Sequence, residues 1–393
     1  MARRADINVS DTVAANWNGA GTNYIVQTTS GVYYMVYIDS ASDVSFKKST
    51  DGVTWSQATL AATAGTTTSL AVWYDRWSGY NADYIHMVFT DSGNDDTFYR
   101  TINTASSDAL STQVAIFLGS TTAAGGHLSV VRAVGGNVLC KTVIDAGAEG
   151  GFYKLPLANF PNGAWSAVLV DETIATLDQM ILLPDLTAAD NQDIMAIFQD
   201  ASVTETSRKL YDDSANTWSE TSINAAITEL STATAFANLA TAVDLTNSQV
   251  VLLVWTATDA ANADLLCYTI TNSAVTAKTD VVTNSTDDQG LCAISIDAVS
   301  GRWYAFYGGI STGGNTWNTA MNIYMKVSQD AGSTWGPETQ VNVGSTFTLR
   351  HLYTCPWLYK GQPIVAWVVD AQVDDLKVSV DMTEPRTTYQ LGV

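Results

Sequence analysis

The stretch YYMVYIDS, residues 33–40, is an apolar run that halts at an Asp-Ser turn signal, and variants of it recur down the chain. They read IHMVFTDS from Ile85, VLCKTVIDA from Val138, IMAIFQDA from Ile194, VLLVWTATDA from Val251, WYAFYGGI from Trp303 and PIVAWVVDA from Pro363. Runs this short, rich in Val, Ile, Tyr, Phe and Trp and bounded by turn residues, are buried strands rather than helices. Each sits in the same frame. An apolar run and a Gly/Asn/Asp turn precede it, and a third alternating strand and a fourth, often opened by Thr-Trp, follow it.

The first strands of this frame begin near Thr22, Thr68, His127, Asp178, Phe236, Leu291 and Thr348, at intervals of 46 to 59 residues. That length suits a four-stranded antiparallel blade, which buries both faces only when neighbours pack against it. The expected fold is therefore all-β: one β-propeller domain over residues 1–393, with about seven blades and six as the alternative. The last repeat has room for three strands, at 350–358, 363–369 and 376–380. Residues 6–13, within an N-terminal segment 1–14, are expected to supply the missing fourth and close the ring. Residues 224–235, rich in Ala, form the one candidate for a short helix, with a loop as the alternative.

Composition fits a folded chain: 46% of the 393 residues are hydrophobic, with 12 Trp, 17 Tyr and 10 Phe. Eighteen basic against 39 acidic residues give a formal charge of −21, which repels phosphate backbones and argues against nucleic-acid binding. No apolar stretch approaches the roughly 18 residues of a membrane span. The start, Met1-Ala-Arg-Arg-Ala-Asp6, has no apolar core of a leader, so a mature secreted protein or one released by lysis is expected. Cys140, Cys267, Cys292 and Cys355 each lie in an apolar run, without CxxC spacing, and read as free buried thiols. A Cys267–Cys292 disulfide is the alternative.

Two segments carry a sharper signal. Residues 328–335, SQDAGSTW, combine Ser328, Asp330, Gly332 and Trp335; residues 49–55, STDGVTW, are one residue shorter and keep Ser49, Asp51, Gly52, Thr54 and Trp55. Residues 211–218 retain Asp213, Asn216, Thr217 and Trp218, and residues 162–165, NGAW, are a further remnant. The carboxylate accepts hydrogen bonds from turn N–H groups, Gly permits positive φ and Trp packs between strands, so these residues are structural.

The pattern resembles the Asp-box (BNR) repeats of sialidase-like propellers, a superfamily that includes sialidases, related exo-glycosidases and many members without activity. A sialidase would carry three arginines clamping a carboxylate, a Tyr nucleophile paired with Glu, and an Asp acid/base. Here the first strand, TNYIVQ from Thr22, lacks the Arg-Ile-Pro segment usual in sialidases. Arg76, Arg132, Arg302 and Arg350 lie near strand ends but in no recognisable motif, and Tyr353 has no evident Glu partner. His86, His127 and His351 have neither metal-site nor triad spacing. No catalytic residue and no metal site are assigned.

An Asp ends the second strand as Asp39, Asp91, Asp145, Asp200, Asp259 and Asp370, with Gly308 and Gly309 in its place in the sixth repeat. Turn capping is the leading reading of this set, and recruitment of Ca²⁺ or hydroxyl-rich ligands the other. Trp73, Tyr74, Trp77, Tyr80 and Trp317, read as loop aromatics, are the candidate binding surface. The expected role is non-enzymatic: a virion or extracellular protein, such as a phage tail, fibre or capsid-surface component, that contacts other virion proteins or cell-surface glycans. Self-association into a homo-oligomer is left open. A secreted sialidase-like glycoside hydrolase and a lectin-like propeller are the alternatives.

Overall fold

The computed structural model describes residues 7–10, 13, 24–63, 67, 69–74, 83–91, 93, 96–118, 128–143, 150–168, 179–200, 205–224, 239–256, 263–285, 291–309, 322–342, 349–360, 363–369 and 375–380. Their strands pair into seven sheets. Six of these are blades built from consecutive strands, which corrects the expectation of about seven blades to its alternative of six, and the seventh sheet combines strands from both ends of the chain.

The blades begin at Ile25, Leu70, Ser129, Gln179, Leu239 and Cys292, and the composite sheet at Leu349, each within three residues of the start read from the sequence. In the second blade, Leu70–Tyr74, Tyr84–Asp91, Asp96–Asn103 and Val114–Phe117 run antiparallel in that order, with Ala109–Leu110 also on the third strand. The third uses Ser129–Arg132, Val138–Val143, Gly150–Leu155 and Ser166–Val168, and the fourth Gln179–Pro184, Ile194–Asp200, Glu205–Asp212 and Thr217–Asn224. In the composite sheet, Ile7–Ser10 lies antiparallel to Asp375–Val380 as the outermost strand, beyond Ile364–Val369 and Leu349–Thr354.

The apolar second strands owe their composition to burial on both faces. All six residues of Tyr33–Ile38 are buried, as are Val250 to Trp255. Neighbouring sheets cover them: one cluster joins the fifth blade to the sixth through Trp255, Leu253, Ile294 and Trp303, and another joins the sixth to the composite sheet through Phe306, Val365 and Trp367. Each fully buried Trp removes roughly 200 Å² from water, worth about 5 kcal/mol by area.

The last repeat differs from expectation in one respect. Trp357–Leu358 does not extend strand Leu349–Thr354; it pairs in parallel with Cys292–Asp297, the first strand of the sixth blade. All four cysteines are free and buried. Asn224 ends a strand, and the rest of the Ala-rich helix candidate lies outside the described residues. Among the described residues no helix is long and apolar enough to cross a membrane.

Candidate functional site

Every blade runs its first strand the same way, so the ring has two distinct mouths. The hairpins between first and second strands mark the lower mouth, and the turns between second and third strands the upper.

The lower mouth is crossed by residues 355–360. Ile296 N donates to Pro356 O at 3.0 Å and Ala298 N to Leu358 O at 2.9 Å, tying the segment to the sixth blade. On the other side Gln27 of the first blade, fully buried, binds it through both ends of its amide, with Nε2 also 3.5 Å from Gly31 O. Gln27 Nε2 donates to Lys360 O at 2.5 Å, while Tyr359 N and Lys360 N donate to Gln27 Oε1 at 2.5 and 3.1 Å. Trp357 meets Trp73 of the second blade edge to face, with centroids 5.3 Å apart.

This contact corrects the reading of Trp73 and Tyr74 as loop aromatics. Both belong to the inner strand Leu70–Tyr74, at 3% and 0% exposure. Trp73 packs under the crossing segment, and the Tyr74 hydroxyl accepts from Thr29 N at 3.2 Å. Trp77, Tyr80 and Trp317 lie outside the described residues.

At the upper mouth, two of the recurrent aspartates show what they do. Asp39 Oδ1 accepts from Ala41 N at 2.9 Å and Asp43 N at 3.1 Å, and Asp39 Oδ2 from Ser45 Oγ at 2.9 Å. Asp91 Oδ1 accepts from Gly93 N at 3.1 Å. These carboxylates cap their own turns. Asp145, Asp259 and Asp370 lie outside the described residues, and nothing is described of the Asp200 side chain. Among the described residues no group of three or more His, Cys, Asp or Glu is placed to hold a metal ion.

The cations named as clamp candidates are dispersed. Arg132 is 1% exposed, with Nε donating to Gly136 O at 3.3 Å and the guanidinium 4.8 Å from the Phe160 ring centroid. Arg302 follows a lower-mouth turn, its N–H donating to Ser300 Oγ at 3.4 Å. Arg76 lies outside the described residues, as do the side chains of Arg350 and His351. His86 is buried, with Nδ1 2.7 Å from the Tyr99 hydroxyl; burial first, and the Arg132 charge second, push its pKa well below the ordinary value.

A Tyr–Glu pair does exist, away from Tyr353: Tyr307 donates to Glu338 Oε2 at 2.5 Å. It links the second strand of the sixth blade, Trp303–Gly309, to the residue before its last strand, Thr339–Gln340. Burial, then the bond to Glu338 and its charge, raise the phenol pKa, the opposite of what an attacking phenolate requires. The sequence spacing of 31 residues between the two gave no signal for it.

The structural residues behave as turn formers. Ser49 Oγ accepts from Gly52 N at 2.9 Å and donates to Asp51 Oδ1 at 3.0 Å, which also accepts from Val53 N and Thr54 N at 2.8 and 2.7 Å. Ser328 Oγ likewise accepts from Gly332 N at 2.9 Å and donates to Asp330 Oδ1 at 2.9 Å, which accepts from Thr334 N at 2.8 Å. In residues 211–218 the capping carboxylate is Asp212, which accepts from Ala215 N at 2.8 Å; Asp213 instead pairs with Lys154 of the third blade at 2.7 Å. A one-residue shift between adjacent aspartates is invisible to pattern matching.

No protein-family model matches the sequence, and no curated protein sequence matches it. Solved structures do. The lectin BP39L from Burkholderia pseudomallei superposes with a TM-score of 0.60 at 12% identity, over 93% of this chain and 100% of its own. The fold is a β-propeller. The PL25 ulvan lyase, a polysaccharide lyase, aligns at TM-score 0.54 and 10% identity over 97% of this chain and 95% of its own. A triple mutant of AofleA from Arthrobotrys oligospora aligns at 0.52 and 12%, over 86% and 94%. Identities this low establish a shared propeller fold and carry no activity with them.

Proposed function

We propose that this chain is a non-enzymatic contact propeller, one closed unit over residues 1–393, that presents its upper mouth to neutral, hydroxyl-rich glycans or to partner proteins. The observation that carries the reading is the lower mouth, which residues 355–360 cross and the Gln27 amide locks. The upper mouth, at the opposite end of the ring, is therefore the face assigned to contact. The structural likeness to a lectin and a polysaccharide lyase supports glycan as the ligand class. A net charge of −21 favours neutral sugars over sulfated or uronate polymers.

Trp317 is the aromatic assigned to sugar stacking, and Trp77 and Tyr80 are assigned to protein contact. The reading needs no cofactor or metal. We place the protein outside cells, on a virus particle, because its strands are rich in Ser, Thr, Ala and Gly, and few residues are charged.

A glycan array probed with the purified full chain tests the ligand, with Trp317→Ala as the control variant. Binding to neutral glycans that falls at least tenfold in the variant supports the proposal. Turnover of sialosides or other glycosides by the same preparation overturns its non-enzymatic part. Sedimentation of the native source on a density gradient tests the location: recovery only as free protein overturns the virion assignment.

A further inference from the structure

Residues 156–165 join the third strand of the third blade to its last, Ser166–Val168, and reach the second blade on the way. They include a short 3-10 helix, Leu157–Asn159, none of whose residues is buried. Two rings anchor them. Phe160 meets Tyr84 edge to face at 4.9 Å and the His86 ring at 5.6 Å, and Trp165 meets Tyr99 at 5.0 Å. Other seams carry charges. Tyr34 and Lys48 of the first blade both hold Asp108 of the second at 2.5 Å, Lys154 of the third pairs with Asp213 of the fourth at 2.7 Å, and Lys326 Nζ of the sixth donates to Val281 O of the fifth at 2.6 Å.

Under the Phe160 anchor, His86 is fully buried, opposite Trp73 on one neighbouring strand and Thr101 on the other. Its Nδ1 lies 2.7 Å from the Tyr99 hydroxyl, and its Nε2 is shut off from solvent with no hydrogen-bond partner among the described residues. An imidazolium carries two N–H groups, and the one on Nε2 would face no acceptor there. The charge that bears on the ring is Arg132 of the third blade, whose guanidinium stands 4.8 Å from the same Phe160 ring. Tyr84 and Tyr99, both phenols, are the other titratable groups around it. Burial first, and the Arg132 charge second, therefore hold His86 neutral while the seam is closed.

We propose that His86 makes the seam between the second and third blades an acid-opened joint: in mild acid, proton uptake by His86 releases residues 156–165 from the second blade while the other seams stay closed. The closed seam keeps the ring neutral, and the open one lets it titrate at its ordinary value near about 6.5. The closed form is thus fully favoured above that pH, and each unit below it raises the open population about tenfold. A segment with a helix that buries nothing and only two ring anchors is the part of the seam that opens at least cost.

Hydrogen exchange of the full chain, read by mass spectrometry and corrected for the intrinsic effect of pH on exchange, tests this. Between about pH 6.5 and about pH 5.5, above the ordinary range of carboxylates, protection of residues 156–168 should fall about tenfold. Protection of residues 239–255 in the fifth blade should change less than about twofold over the same interval. His86→Gln, which keeps a side-chain acceptor for the Tyr99 hydroxyl, should abolish the fall in residues 156–168. If that variant does not fold at neutral pH, the two regions of the parent chain decide alone. No fall in residues 156–168, an equal fall in both regions, or a fall that persists in folded His86→Gln would each overturn the proposal.

Discussion

Turns 49–55 and 328–335 share Ser, Asp, Gly, Thr and Trp, yet they hold different things together. In the first, Trp55 Nε1 donates to Gly52 O at 3.2 Å, inside its own turn. In the second, Trp335 Nε1 donates to Thr279 O of the fifth blade at 2.9 Å. Thr279 returns two bonds, its N–H to Gly332 O at 3.1 Å and its hydroxyl to Ser333 O at 2.6 Å. One extra residue before the Trp thus converts a self-contained hairpin cap into a joint between blades. Trp218, 5.0 Å from Phe152, and Trp165, 5.0 Å from Tyr99, reach preceding blades by ring packing instead. What repeats in this chain is the local turn; what each turn joins depends on its length and on the blade beside it.

The sharpest way to break the comparison is at glycine. Gly52 and Gly332 both have positive φ, 72° and 79°. A Cβ on Gly332 would also lie 2.7 Å from Trp303 Cζ3, in the buried interface of the fifth and sixth blades. Gly332→Ala should therefore cost about 3 kcal/mol in denaturant unfolding, against about 1 kcal/mol for the backbone strain that Gly52→Ala introduces. Equal losses would mean that Trp303 moves aside freely and that the second turn is no more of a joint than the first.

The same contrast marks how far the sequence is legible. The blade starts and the second strands are readable because burial on both faces demands unbroken apolar runs, as in Tyr33–Ile38. The capping roles of Asp51, Asp330 and Asp39 are readable because an Asx turn is local. What crosses between blades is not. Trp357–Leu358 has the composition of a strand continuing its own repeat, and only its pairing with Ile296 and Asp297 reveals a segment spanning the lower mouth. Trp73 and Tyr74 look alike in sequence whether they face solvent or, as here, the crossing segment and the Thr29 N–H.

A smaller effect sharpens the joint itself. Trp335→Phe removes one hydrogen bond to a backbone carbonyl and should cost about 1 kcal/mol, with most of the ring packing kept. The informative measurement is a double-mutant cycle. Trp335→Phe and Thr279→Ala should couple by at least about 0.5 kcal/mol, because both act on one cluster of bonds between blades, whereas Trp55→Phe and Thr279→Ala should be additive. Additivity in both cycles would reduce Trp335 to a surface ring with no share in holding the fifth blade to the sixth.

Acid should not separate the two turns, and this is the finest test. Bonds from Thr54 N and Val53 N, ahead of those from the Ser49 and Thr54 hydroxyls, lower the Asp51 carboxyl from 3.8 to about 2. The Thr334 hydroxyl and N–H lower Asp330 in the same direction. A carboxyl whose folded pKa is depressed contributes stability that is fully present above the unfolded value and is lost as pH falls through the folded one. For Asp51 that window runs from about pH 4 down to about 2. Both carboxylates face solvent, so water and salt screen the gain, and for Asp51 it should stay under about 1 kcal/mol. Asp51→Asn and Asp330→Asn should each flatten the fall in stability over this range by a similar amount. A markedly larger change for Asp330→Asn would mean that its carboxylate, and not only Gly332 and Trp335, takes part in the joint between blades.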